Sequence, residues 1–491
     1  MFKNFIRRFH CISKLNNMYQ ESNMHQVNPN YEEAIKTLNT LQSNSKSLTD
    51  QNKNTASNPV EKLEKVRKYI NRTGLTSNDI SKLPVIHVSG TKGKGSTCAF
   101  CESILRHHGY KTGFFSSPHL LEVRERIRIN GVPISKAIFS EFFWKIYESL
   151  NDQKDNPGDM PFYFQFLFIM AVHIFLHKKV EVAIIEVGIG GEYDPTNIVT
   201  CVPVAGITSL GFDHTSVLGN TIESISWNKA GIMKPGSKVF TVTQPEKAYN
   251  VLSQRSVERQ CSLCVVDNAL NIPIMTKYPR SIQTNISLAI QMAEAWMLSN
   301  PPDANNKTLL DIDVLKRSIE ECQWPGRYEI RQEKNMRYYI DGAHTLESIA
   351  ICIEWYLNDL KNRHGKKVLL FNLTGGRNCE DFFKLLLKCQ FDTVIFVPNA
   401  ATSSNESADN INLVLPVGDQ LSNCYTYKDK WSNMSSNEGD VQVFPSVQDA
   451  VNYMNNEEKY NVLATGSLHL VGAVLTLLNP NLNEGMDYAI P

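Results

Sequence analysis

The chain has 491 residues, too long for one ordinary domain, so two domains with extensions are expected. Fifty Lys and Arg cancel fifty Asp and Glu, which argues against nucleic acid or an anionic membrane as the main partner. Apolar residues at 42% and charged residues at 20% are ordinary for a globular protein, and eleven scattered cysteines fit a reducing compartment better than a disulfide framework.

The first seventeen residues carry Lys3, Arg7, Arg8 and Lys14, with no acid before Glu21. Phe2, Phe5, Ile6, Phe9, Ile12 and Leu15 share one helical face, the acid-poor amphipathic pattern of a mitochondrial transit peptide; a basic, frayed terminus is the alternative. Met18 could start a shorter cytosolic form. Tyr31, Ala34, Ile35, Leu38 and Leu41 have helical spacing, and the polar stretch 43–58 reads as a linker. From Val85 apolar runs of strand length (85–89, 112–116, 180–187, 202–209, 238–243) alternate with helical patterns (96–108, 137–150, 162–177), which predicts a mostly parallel sheet covered by helices. The longest apolar run, 164–176, is too short to span a bilayer and reads as a buried helix. The alternation weakens between about 265 and 325. It restarts with strands at 337–340, 367–372, 393–397 and 461–465 and helices at 345–362, 380–388, 446–456 and 468–478. The turn Trp324-Pro325-Gly326 marks the expected boundary. The expected organisation is therefore a leader, helix and linker over 1–57, a nucleotide-binding α/β domain over 58–325, and a smaller α/β domain over 326–491. The Ser-, Asn- and Asp-rich stretch near 400–440 reads as a mobile surface insertion.

The segment Gly90-Thr91-Lys92-Gly93-Lys94-Gly95-Ser96 follows a predicted strand and opens a predicted helix. Glycines let backbone N–H groups turn toward a phosphate, the helix start adds partial positive charge, a lysine neutralises phosphate oxygens and a hydroxyl can serve Mg²⁺. The spacing departs from G-x-x-x-x-G-K-[ST], because Gly95 separates Lys94 from Ser96, so a plain glycine-rich turn stays open. Glu186 ends an apolar strand before three glycines, where an acid is costly unless paired or metal-bound. Asp213 and His214 end another strand, and Ser116 and Ser117 the one after the loop; an N-cap and a Ser-Pro turn are the bland readings. Asn228-Lys229 lacks the following Asp of a guanine-reading motif, and none occurs elsewhere, so adenine is the expected base. Lys229 can equally be a solvated helix lysine. In the second series Arg327, Asp341 and His344 lie at turns after strands and would face a cleft between the domains. Cys98/Cys101 with Cys261/Cys264 offers a four-cysteine zinc site; burial of the first pair against the core is the favoured reading.

GTKGKGS, FFSSPHL with VRERIRING, EVGIGG, LGFDHTSVLG, NKAGI, WPGR, DGAH and TGSLHL occur in that order from residue 90 to about 470. Together they resemble the folylpolyglutamate synthase family, eukaryotic type, within the Mur ligase superfamily, over roughly 430 residues. The resemblance implies a Mur-ligase-like P-loop domain with a central mostly parallel sheet, plus a smaller Rossmann-like C-terminal domain. It implies an ATP-dependent amide ligase that joins L-glutamate to the γ-carboxylate of tetrahydrofolate and its polyglutamates through an acyl phosphate. Mg²⁺ would serve the reaction, with a monovalent cation such as K⁺ as a further candidate. A monomer in cytoplasm and mitochondrial matrix is implied, with no nucleic acid and no integral membrane association.

Carried over residue by residue, Gly93, Lys94, Gly95 and Ser96 would hold the triphosphate, and Asn285, Arg327 and Asp341 would contact ATP. Ser117 and Glu186 would bind one Mg²⁺ and His214 a second. Lys229 matches a lysine that is carbamylated in family members, which makes it a metal-bridging carboxylate. Lys94, His214, Lys229, Asp341 and His344 form the implied catalytic set, the last two also orienting glutamate. Arg124, Arg126 and Arg128, in a flap over 117–129, would meet the folate or form a solvated strand face. Thr345, where bacterial relatives and dihydrofolate synthases usually have Asn-Pro, and Lys92, where bacterial loops commonly have Asn, favour the polyglutamylating branch. The alternatives are a dihydrofolate synthase that adds glutamate to dihydropteroate, and a P-loop regulatory protein.

Overall fold

A computed structural model describes residues 30–42, 59–266, 273–300, 310–373, 377–403, 409, 417–435, 439–454 and 458–479. The leader, Met18 and the 43–58 stretch lie outside the described residues. Two sheets organise the described residues. The first has eight strands: β1 (Val85–Ser89), β2 (Thr112–Phe115), β3 (Ile127–Ile129), β4 (Val132–Pro133), β5 (Val182–Glu186), β6 (Val204–Ile207), β7 (Lys238–Thr241) and β8 (Ser262–Val265). Their order is β4-β3-β2-β5-β1-β6-β7-β8, parallel except for the β3–β4 hairpin at one edge. The second has six: β9 (Glu329–Glu333), β10 (Met336–Ile340), β11 (Lys366–Phe371), β12 (Thr393–Phe396), β13 (Asp440–Val443) and β14 (Tyr460–Thr465). Their order is β13-β12-β11-β14-β10-β9, with only β9 antiparallel. The strands and helices expected on either side of the 265–325 gap all form, with ends shifted by a few residues.

Central strands buried on both faces read as continuous apolar runs, and their alternate residues feed different cores. In β5, Ala183 and Ile185 join the core on one face, while Val182 and Ile184 join the other. In β11, Leu369 and Phe371 divide from Val368 and Leu370 in the same way. The run 164–176 lies in the helix Tyr163–Lys178, buried beneath the first sheet, and no helix among the described residues is long and apolar enough to cross a membrane.

Two expectations are corrected. The stretch between 265 and 325 contains the helix Arg280–Ser299, twenty residues long, and the helix Ile312–Glu320. Most positions of the first are buried, Asn285, Ile286, Ser287, Leu288, Ala289 and Ile290 consecutively, because the helix is wedged against the helix Lys94–His107 and the sheet. A helix enclosed on several sides has no single apolar stripe, so its period is weak in sequence. Within 400–440, residues 417–434 form a helix that sends Cys424 and Trp431 into the second core. Two anchors among many polar residues hide such a helix from composition.

Cys98 and Cys101 are fully buried on the helix after the glycine loop, while Cys264 is exposed on β8. No group of three or more His, Cys, Asp or Glu among the described residues is placed to hold a metal, so the zinc reading drops out. The loop after β2 crosses to the second unit: Leu121 is buried in the core of the second sheet, and Leu120 lies against Gly326 and Gly472.

Two buried histidines predict an acid-sensitive fold. His87 on β1 meets Thr196 Oγ1 at 2.9 Å and His173 meets Thr73 Oγ1 at 2.7 Å, each through Nε2. Burial, with Lys234 and Lys145 respectively nearby, holds both near 3. Between their unfolded value near 6.5 and 3, the unfolded chain binds protons that the folded chain refuses. Stability therefore falls as pH drops through that window, with a slope approaching about 1.4 kcal/mol per pH unit for each histidine. Urea unfolding midpoints measured from pH 7 to pH 4 should fall steadily, and His87→Gln should flatten the slope.

Candidate functional site

A cavity of about 820 Å³ opens between the two sheets. The glycine loop forms its floor. β1 ends at Ser89 and the helix begins at Lys94, with Gly93 as its N-cap at φ 90°. Ser209 O accepts from the amides of Thr91 and Lys92, at 2.9 and 3.2 Å, tying the loop to the end of β6. Lys92 Nζ lies 2.9 Å from Asp213 Oδ2, a pair the sequence reading did not make, since its members are 121 residues apart. Lys94 Nζ donates back to Gly90 O at 3.2 Å. A Cβ on Gly93 would stand 2.2 Å from Asn285 Oδ1, and one on Gly95 would stand 2.7 Å from the Trp324 ring. Trp324 thus roofs the loop from the junction between the two sheets, a role its place in a Pro-Gly turn did not signal.

Glu186 closes β5 beside this floor. Its Oε2 accepts from the amide of Ser117 at 3.0 Å, and it makes no ion pair among the described residues. Burial raises its pKa, with Lys94 opposing. A carboxylate this deep without a cation in contact is an invitation to one. His214 stands exposed at the rim with φ 50°, held below its ordinary value chiefly by desolvation, which Asp213 opposes and Lys94, Lys229 and Lys92 reinforce.

The facing wall belongs to the second unit. Asp341, just past β10, is buried, and its Oδ2 accepts from the Tyr328 amide at 3.0 Å; burial raises its pKa against the pull of Arg327. His344 Nδ1 donates to Gly342 O at 2.9 Å, and burial lowers it to about 4, so its Nε2 is unprotonated. Gly93, Lys94, Gly95, Ser96, Ser117, Glu186, His214, Asn285, Arg327, Asp341 and His344 all line this one cavity.

Lys229 does not line it. Its ammonium lies behind the loop, 3% exposed, and donates to Gly90 O at 2.7 Å, while its own carbonyl accepts from Ser89 Oγ at 2.9 Å. Burial and then Lys94 bring it down to about 7. Arg124 also differs from expectation: it is buried away from the cavity, paired with Glu122 at 2.7 Å and bonded to Ile134 O. Arg126 and Arg128 do face the cavity. Arg126 lies over Tyr163, and Arg128 lies against the edge-to-face pair of Phe114 and Trp324 with its Nε on Glu125 O at 3.1 Å. Neither pairs with a carboxylate among the described residues. Asp194, which sequence reasoning passed over, lines the cavity and caps the EVGIGG turn, accepting from the amides of Ile189 and Thr196 at 3.0 Å each. Its Asp-Pro signature as an N-cap was available.

Residues 326–477 match the family model described as dihydrofolate synthetase, C-terminal domain. Among curated relatives, the mitochondrial folylpolyglutamate synthase of Cricetulus griseus is 38% identical, with 92% of each chain covered. That of Homo sapiens is 36% identical with the same coverage. Among solved structures, a Mycobacterium tuberculosis folylpolyglutamate synthase complexed with ADP and AMPPCP shares the fold, with a TM-score of 0.67 at 22% identity over 85% of this chain and 95% of that one.

Proposed function

The chain belongs to the folylpolyglutamate synthase family, and from that premise we infer the roles of its residues in joining L-glutamate to the γ-carboxylate of folates at the expense of ATP. A carboxylate is a poor electrophile, because its charge is delocalised and its oxygen leaves badly. Transfer of the γ-phosphoryl group of ATP gives an acyl phosphate and ADP. The glutamate amine then attacks the acyl carbon, and phosphate leaves as the amide forms. The protein's part is positioning and charge neutralisation.

The observation that carries this reading is that the glycine loop and the unpaired Glu186 share one cavity with Asp341 and His344. Gly93, Lys94, Gly95 and Ser96 would cradle the triphosphate, and Asn285, Arg327 and Asp341 would hold the nucleoside end. Glu186, buried without a counter-ion, fits Mg²⁺, with Ser117, which donates its amide to Glu186, as a further ligand and His214 at the rim for a second ion. When bound, the metal neutralises phosphate oxygens. Lys229, near 7 and so partly neutral, supports the loop from behind, and its lowered value suits the carbamylation that the family resemblance implies. His344 near 4 is a weak base, so it and Asp341 are assigned to orienting glutamate. Arg126 and Arg128, half-buried cations without carboxylate partners among the described residues, are assigned to the carboxylates of the folate and its tail.

The protein acts as a monomer on soluble folates, in mitochondria by way of its acid-poor leader and in the cytoplasm from Met18. Incubation with MgATP, labelled L-glutamate and either tetrahydrofolate or dihydropteroate tests the reading. Label should enter chain-lengthened folates from tetrahydrofolate alone. Product from dihydropteroate instead would transfer the protein to the dihydrofolate synthase branch, and label in neither would remove the folate assignment.

A further inference from the structure

The loop between Ser117 and Ile127 is held from within by Glu125 and from the second unit by Asp409. Glu125 folds back to take three of its amides: Leu120 N on Oε2 at 3.0 Å, then Leu121 and Glu122 N on Oε1 at 2.9 and 2.8 Å. The next amide, on the fully buried Val123, turns to Oδ1 of Asp409 at 2.9 Å, 286 residues away in sequence. The same oxygen accepts from the Tyr31 hydroxyl at 2.7 Å, so the helix Tyr31–Asn39 is tied in as well. The Asp409 carbonyl accepts from His119 Nε2 at 2.9 Å, and His119 Nδ1 accepts from Arg126 Nε at 2.9 Å. That carbonyl selects the tautomer. With the ring proton on Nε2, the Nδ1 lone pair faces Arg126, and burial with Arg126 nearby keeps the ring neutral.

We propose that Asp409 is a positioning residue for the acceptor substrate: it fixes the 119–126 loop so that Arg126 presents its guanidinium to a carboxylate of the folate or its glutamate tail. This rests on the ligase reading above. Asp409 does not line the cavity and acts through His119 and Val123. Three segments remote in sequence, the first helix, the loop after β2 and the polar stretch of the second unit, meet on one carboxylate. Asp409 thereby reaches the acceptor wall without lining the cavity. Loss of the carboxylate strands a buried amide and a hydroxyl together, and the cheapest relief is movement of the loop that carries Arg126.

The test uses the full chain with Asp409→Ala, Asp409→Asn and Tyr31→Phe, varying tetrahydrofolate and ATP separately. Asp409→Ala should raise KM for tetrahydrofolate about tenfold, with KM for ATP within about twofold of the parent. Asp409→Asn keeps an acceptor oxygen and should recover most of that loss. Tyr31→Phe should raise KM for tetrahydrofolate about threefold. A lower kcat with both KM values unchanged is the mark of a partly unfolded population and overturns the proposal. If Asp409→Ala does not accumulate folded, Tyr31→Phe decides, and an unaltered folate KM there overturns it equally. An active parent with an insensitive Asp409→Ala overturns this assignment alone; a parent that cannot lengthen tetrahydrofolate overturns the ligase reading and this assignment with it.

Discussion

Glu186→Gln should abolish turnover while leaving the fold at least as stable. The parent carboxylate is buried at the end of β5 with no cation in contact, and burial raises its pKa. An amide of the same shape removes the cost of burying charge and still offers an oxygen to the Ser117 amide. Thermal unfolding of the variant should therefore match or exceed the parent. Under the proposed role of Glu186 as a seat for the cation that balances the triphosphate, turnover should fall at least about a thousandfold. Raising Mg²⁺ should not restore it. A variant that turns over at near-parental rates would remove Glu186 from the metal site and leave its burial without a purpose.

Gly93→Ala should cost nucleotide binding more than stability. Two effects combine at this position. The backbone sits at φ 90°, and a Cβ would stand 2.2 Å from Asn285 Oδ1. The left-handed backbone costs an L-residue about 1–2 kcal/mol. The clash must be relieved by moving either Asn285 or the loop, and both line the cavity where the nucleotide is proposed to sit. Affinity for an ATP analogue should drop by about a hundredfold, because cradles of backbone amides tolerate little displacement. Gly109→Ala is the matched control: it closes the same helix at φ 91° with nothing within 4 Å of a Cβ. It should lose comparable backbone energy with nucleotide affinity intact. Equal effects of the two variants on ATP-analogue binding, read by calorimetry, would show that backbone strain alone governs the loop.

Both variants concern residues that the sequence already singled out, and the reason is local. A glycine loop between a strand and a helix, or an acid at the end of an apolar strand, is anomalous within ten residues. The two sheets were legible for the same cause, since central parallel strands are short continuous apolar runs between helical patterns. The helix Arg280–Ser299 was not legible, because enclosure on several sides weakens the stripe that marks an amphipathic helix. Partnerships across the chain were the other blind spot. Lys92 with Asp213, Trp324 over Gly95, and Asp409 with Val123 each join ordinary residues whose pairing no spacing encodes. The Asn-Lys pair and the match to a family lysine drew Lys229 into the site, whereas its side chain lies behind the loop. Arg124 shared a motif with Arg126 and Arg128 and yet turns inward to Glu122.

The seating of Leu120 and Leu121 on the second unit bears on how such chains can be recombined. Leu121 contributes to the core beneath the second sheet, and Leu120 is fitted against Gly326 and Gly472. A chimera that grafts the second half of a relative onto this first half inherits a socket shaped for a different loop. At either glycine, even a methyl group would intrude on Leu120. Exchange at the Trp324-Pro325-Gly326 turn is thus a poor crossover, although the backbone there is a simple turn. A graft that carries residues 117–129 together with the second half would keep tongue and socket matched, and sequence divergence in the two should run in step.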